Sequence, residues 1–212
     1  MRHAIVPAAG FLIGCMLLSF QPAFAQNSAP DTNFSALREG EFIVVSASVD
    51  LPVAAAQALS VLTDYERYPR FITGMRESLI IARGPSALVL EQKGEFGILF
   101  FSSIVEVQMA IVESPPQSVV SRLISGNVRD MWGRYDLEER NGGTRLVYRG
   151  RLLPEHDLPP LIGLVMVRRS LNRHFGAMVR EIMRRQAQDP QARARPDAPR
   201  EPATPDASRA KN

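Results

Sequence analysis

Little in this chain of 212 residues offers covalent or redox chemistry: one cysteine (Cys15), one tryptophan, four tyrosines and three histidines. A lone thiol cannot close an intrachain disulfide or build a thiolate metal site, so stability rests on packing. No serine stands in a Gly-x-Ser-x-Gly elbow, which excludes the corresponding hydrolases. Gly94-Glu95-Phe96-Gly97 falls inside a hairpin-like strand pattern rather than between a strand and a helix, so no dinucleotide fingerprint is present. Neither His156 nor His174 has a second metal-type partner one helical turn away, and no metal or cofactor is expected. Charge is balanced, with 25 basic and 22 acidic residues and a net +3, scattered rather than clustered. That argues against nucleic acid as a partner.

The two ends of the chain differ from its middle. Arg2, an apolar stretch over residues 4–20 interrupted by Ser19, and Ala23-Phe24-Ala25 read as an export signal over residues 1–25, cleaved between Ala25 and Gln26. The protein is then expected in the periplasm or outside the cell. An uncleaved anchor is disfavoured because the stretch is short for a span of about 20 residues. Leu12-Ile13-Gly14-Cys15 resembles a lipobox, but Met16-Leu17-Leu18 continue the apolar core instead of opening a polar tether. Residues 26–40 read as a linker. Residues 188–212 carry Pro190, Pro196, Pro199, Pro202 and Pro205 among small and charged residues, a composition that cannot bury a core and predicts disorder. One domain over residues 41–187 is left.

Within it, residues 41–49 are rich in β-branched side chains and read as a strand. Asp50-Leu51-Pro52 predicts the start of a short Ala-rich helix over residues 53–62. Thr63 and Asp64 are capping candidates for a second short helix over residues 65–68, with Pro69 as its break. Strand alternation follows. Leu88, Leu90, Gln92, Gly94 and Phe96 form one face against Val89, Glu91, Lys93 and Glu95. Phe101, Ser103, Val105, Val107, Met109 and Ile111 share the inward face of the next strand, which Pro115-Pro116 ends. Two more strands cover residues 119–125 and 128–138, and Asn141-Gly142-Gly143 signals a hairpin. Thr144, Leu146, Tyr148, Gly150 and Leu152 then alternate with an outer stripe of Arg145, Arg149 and Arg151, read as solvated surface. Residues 159–185 form a long amphipathic helix whose apolar face takes in Leu161, Leu164, Val165, Arg168, Leu171, Phe175, Met178 and Ile182.

A strand, two short helices, antiparallel strands and a long final helix describe an α+β chain whose curved sheet wraps one helix. This succession resembles the START-like (helix-grip, SRPBCC) superfamily, within it the polyketide cyclase/dehydrase and coenzyme-Q-binding group. The resemblance is carried by Asp50-Leu51-Pro52 with the helix after it, by Thr63-Asp64-Tyr65-Glu66-Arg67-Tyr68-Pro69-Arg70-Phe71, by Gly133-Arg134-Tyr135-Asp136-Leu137 and by Gly143-Thr144-Arg145-Leu146-Val147-Tyr148. It spans about residues 41–185 and specifies fold more than function. It implies a deep apolar cavity between sheet and helix, used by relatives for a lipid, isoprenoid quinone, sterol or polyketide. By position it would place Gln92, Phe96, Phe101, Ser103, Tyr135, Tyr148, Leu164, Arg168, Leu171 and Phe175 toward that cavity. The export signal and Pro-rich tail depart from cytoplasmic and mitochondrial relatives, which puts a respiratory quinone role in doubt.

The expected function is therefore enclosure of a hydrophobic small molecule, with transient membrane contact, without catalysis. Arg168 on the apolar helix face either meets an acidic or carbonyl head group or reaches solvent at a cavity mouth. Two other readings stay open: a cyclase or dehydratase, which needs His156, Asp157 or Arg168 turned inward, and an interaction module of the envelope, which needs a collapsed cavity.

Overall fold

The computed structural model describes residues 31–98, 101–140, 142–155 and 162–189, with the backbone alone at residues 96–98, 101–103 and 162. Residues 1–25, read as an export signal, the Pro-rich residues 190–212, and the His156-Asp157 pair lie outside the described residues.

Strands β1 (Asn33–Glu39), β2 (Phe42–Leu51), β3 (Met75–Arg83), β4 (Leu88–Ile98), β5 (Phe101–Ser114), β6 (Ser118–Gly126), β7 (Val128–Arg140) and β8 (Gly143–Pro154) form one sheet. Its order is β1-β2-β8-β7-β6-β5-β4-β3, antiparallel throughout. Helices α1 (Ala55–Leu62) and α2 (Tyr68–Phe71), with the 3-10 turn Tyr65–Arg67 between them, link β2 to β3. Helix α3 (Ile162–Gln188) follows β8. The period-2 pattern decides the faces. Leu88 and Leu90 on β4, Val107, Met109 and Ile111 on β5, and Thr144 and Leu146 on β8 are all buried. They pack in one cluster with α1 and with Phe175, Met178, Val179 and Ile182 of α3.

Several expectations need correction. The linker assigned to residues 26–40 contains β1, which pairs with β2 along its whole length. Only Phe34 and Ala36 of that strand turn inward, while Leu37 is 59% exposed, so its alternation is weak in the sequence. Helix α1 begins at Ala55 rather than residue 53, and no side chain caps it. Asp50 instead lies within β2, next to its last residue, and pairs with Arg145. Pro69 does not break the second helix but sits in the first turn of α2, where its missing N–H costs no hydrogen bond. The outer arginine stripe is at the surface as expected, and it is ion-paired there: Arg145 with Asp50, Arg149 with Asp136 and Arg151 with Asp130.

Two polar ties fix the ends of these elements. Thr144 donates its hydroxyl to the Val53 carbonyl over 2.7 Å, holding β8 to the start of the helical pair in a buried setting. On α3, Glu181 accepts from Arg184 Nε and from Arg185 Nε at 2.7 and 2.8 Å, and Arg185 reaches Asp64 at 2.6 Å. Arg184, opposed by burial and helped by Arg185, pulls the Glu181 carboxyl from its usual 4.5 down to about 2. A depressed carboxyl stabilises the fold above its unfolded pKa, and that contribution is lost as the pH falls toward the folded one. Glu181→Gln is expected to lower stability at neutral pH by roughly 2 kcal/mol in urea titrations. The gap to wild type should close between pH 4.5 and about 2; a gap independent of pH would disprove the ion-pair account.

Candidate functional site

Sheet and helix do not meet everywhere. Between them lies an inner chamber of about 180 Å³. Its floor is the inward face of β4 to β8, its roof is Leu171, His174, Phe175 and Met178, and Leu62, Tyr65 and Tyr68 form one wall. A second chamber of about 170 Å³ lies beneath the first half of α3, bounded by Val45, Val128, Leu152, Pro154, Met166 and Val167. Val105, Met131, Tyr148 and Leu171 line both chambers and form the waist between them.

All four tyrosines of the chain line the inner chamber. Tyr65 donates to Glu113 over 2.9 Å and Tyr68 to the Leu62 carbonyl over 2.6 Å, so these hydroxyls are committed to the protein. Burial, then Glu113, pushes the Tyr65 phenol far up. Tyr135 and Tyr148 face one another across β7 and β8, with ring centroids 4.7 Å apart. Burial pushes Tyr148 up to about 12 and raises Tyr135 strongly, with the Tyr148 phenol next in effect. Both are therefore neutral donors at any physiological pH.

A glycine pair makes room for Tyr148. Gly133 and Gly150 stand directly opposite each other in the β7–β8 register. A Cβ on Gly150 would lie 2.5 Å from the Tyr148 hydroxyl, and one on Gly133 would lie 3.1 Å from it. The phenol thus lies along the sheet over two residues without side chains instead of filling the space under α3.

His174 also lines the inner chamber. Burial, reinforced by Arg173 and opposed by a hydrogen bond to the Thr73 backbone, lowers it from 6.5 to about 4. It is a neutral imidazole at pH 7. Gln92 lines the same space and donates its amide to Ser78 over 3.1 Å.

Of the expected site residues, Gln92, Tyr135, Tyr148, Leu171 and Phe175 line the inner chamber. The side chains of Phe96, Phe101 and Ser103 lie outside the described residues. Leu164 packs instead against Ala36, Ile43 and Val45. Arg168 is exposed on α3, contrary to its inward placement. The inward line of the helix runs through Val167, Leu171, Phe175 and Met178, and Arg168 is one residue round from it. An unpaired guanidinium in an apolar chamber would be costly, and no such cost is incurred. Missed were His174, Tyr65 and Tyr68. His174 is three residues after Leu171 and four before Met178, a helical spacing that marks it as inward. Among the described residues no group of three or more acidic, cysteine or histidine side chains is arranged to hold a metal.

The fold and the chamber define a START-like helix-grip protein. Its backbone is similar to the Zhui aromatase/cyclase from Streptomyces sp. R1128 (TM-score 0.59, 17% identity, 68% of this chain and 95% of that one). It is likewise similar to a STAR-related lipid transfer protein from Xanthomonas axonopodis (TM-score 0.56, 10% identity, 74% and 94%). A START superfamily protein from Mycobacterium smegmatis is a third relative in fold (TM-score 0.56, 17% identity, 66% and 97%). No curated protein matches the sequence. The chain belongs to the polyketide cyclase / dehydrase and lipid transport family, whose profile matches residues 51–183, more than half of the chain.

The depressed His174 pKa has a testable consequence. Above about pH 6.5 the imidazole is neutral both folded and unfolded, so it does not affect stability. Below that the unfolded chain takes up the proton first, and the fold loses stability until the pH reaches about 4. His174→Gln is expected to flatten this limb, worth on the order of 3 kcal/mol. Identical acid limbs in urea titrations of the two proteins would rule the assignment out.

Proposed function

We propose that this protein binds and carries a hydrophobic small molecule, lipid, isoprenoid or quinone-like, between its sheet and α3. The supporting observation is that a mostly apolar space persists inside a domain whose surroundings are packed, and that a second chamber adjoins it, sharing Tyr148 and Leu171 in its lining. Binding derives from apolar area removed from water, at roughly 25 cal/mol per Å² before ordering costs. The reading includes export through the signal over residues 1–25, action in the periplasm or outside the cell, and transient contact with a membrane to load and unload. An interaction module with a collapsed interior is the poorer account of two open chambers.

Native mass spectrometry of the protein from its own envelope, followed by organic extraction, is expected to find a stoichiometric apolar ligand. Leu171→Trp fills the waist and is expected to abolish that ligand while leaving the unfolding temperature close to that of wild type. A ligand-free wild-type protein that binds no member of a lipid panel would defeat the carrier reading.

One observation favours a second reading, a cyclase or dehydratase on a lipid-like substrate: His174 lines the inner chamber as an imidazole unprotonated at pH 7, a base weakened by burial but positioned against any enclosed molecule. Deuterium exchange at the α-carbon of bound 2-acetylnaphthalene, faster in wild type than in His174→Gln, would establish a base there. Exchange at the buffer rate in both would remove this reading.

A further inference from the structure

We propose that Tyr135 and Tyr148 form a recognition site for a neutral carbonyl oxygen, so that the carried molecule is an uncharged apolar compound bearing a ketone, quinone or ester group. This rests on the carrier reading and names the chemistry of its ligand.

The first observation is an imbalance among the four tyrosines around the inner chamber. Tyr65 and Tyr68 spend their hydroxyls on Glu113 and on the Leu62 carbonyl. Among the described residues, neither Tyr135 nor Tyr148 has a hydrogen-bond partner, and burial is the leading reason that both phenols titrate high. Nor is either hydroxyl sealed against apolar atoms, since no described side-chain N or O is both fully buried and unpartnered. Both therefore open onto the chamber, where a phenol is enclosed only if it finds an acceptor.

The second observation is backbone. Gly133 and Gly150 leave a bare strip of sheet against which the Tyr148 hydroxyl lies, and a Cβ at Gly150 would come within 2.5 Å of it. The Ser121 hydroxyl, which donates to the Gly133 carbonyl over 3.3 Å, borders the same strip. Tyr148 stands where the two chambers adjoin, and Tyr135 lies beside it on the inner-chamber side.

The third observation fixes the charge. Among the described residues no Arg or Lys lines the inner chamber, where both phenols lie; Arg151 lines the second chamber but is paired with Asp130, Arg168 is exposed, and His174 is neutral at pH 7. A carboxylate there would be desolvated without a cation, at high cost. A neutral carbonyl needs only donors, and the two phenols supply them.

The test uses three probes of one shape with the mature protein: 2-acetylnaphthalene, its hydrocarbon isostere 2-isopropenylnaphthalene, and 2-naphthoate, by calorimetry at pH 7. The ketone is expected to bind about tenfold more tightly than the isostere. Naphthoate is expected to bind most weakly. The double variant Tyr135→Phe/Tyr148→Phe, checked by its unfolding temperature, should bind ketone and isostere alike while keeping the wild-type affinity for the isostere. Ketone and isostere bound equally by wild type would overturn the carbonyl site and leave the carrier reading standing. Naphthoate bound as tightly as the ketone would overturn its neutrality. Binding of no probe would count against the carrier reading itself, and a ketone preference that survives in the double variant would acquit the tyrosines.

Discussion

Everything about the interior depends on α3 being held at one end. Its C-terminal half is committed, with Phe175, Met178, Val179 and Ile182 buried and Glu181 tying it through Arg185 to Asp64 beside the 3-10 turn. Its N-terminal half sits less deeply: Val165, Arg168 and Arg169 are exposed, Leu164 and Val167 rest on Ala36, Ile43 and Val45 of β1 and β2, and Met166, Val167 and Leu171 roof the space beneath. Had the apolar stripe continued at full depth, the helix would have closed onto the sheet and left no chambers. A helix seated deeply at its far end and resting on β1 and β2 near its start spans a gap that its own side chains do not fill, and close packing elsewhere holds it there.

The sheet contributes the other half of that gap. Long antiparallel strands alternate apolar inward and charged outward, and the outer charges are matched across strands, as with Arg149 and Asp136. On the inward face the sequence switches from large aliphatic residues to the Gly133–Gly150 pair where Tyr148 must lie down. The interior is thus apolar by area and polar at few points. In such a setting individual donors decide what is admitted, because an unmet donor costs more than a met one gains.

The family relation fits this division of labour. Relatives of the fold include proteins named as aromatase/cyclases and as lipid transfer proteins, at identities of 17% or less. A shared backbone supplies the enclosure, and the side chains lining it supply the purpose. Here these are a phenol pair, an imidazole whose charge burial removes and, among the described residues, no lining cation in the inner chamber.

Much of the fold was legible because its signals are local. Period-2 alternation in β4, β5 and β8, the glycines after Asn141 and the helical spacing from Leu171 to Ile182 each report a face without reference to the rest of the chain. Strand β1 was not legible, since its inward side is only Phe34 and Ala36 and its place depends on β2 having an open edge. The placing of Arg168 and His174 was open in the sequence for a related reason. Spacing narrows the buried stripe to about a quarter-turn of helix, and whether Val167 or Arg168 faces the sheet is set by how the whole helix rolls. The sequence by itself determined the class of fold, the tyrosines and the scarcity of chemistry, because composition and periodicity are properties of neighbours in the chain. Only the tertiary structure decided that a space remains under α3, that Tyr135 and Tyr148 meet at its wall with hydroxyls unspent, and that Arg168 looks away. Those are relations between residues distant in sequence, fixed by packing.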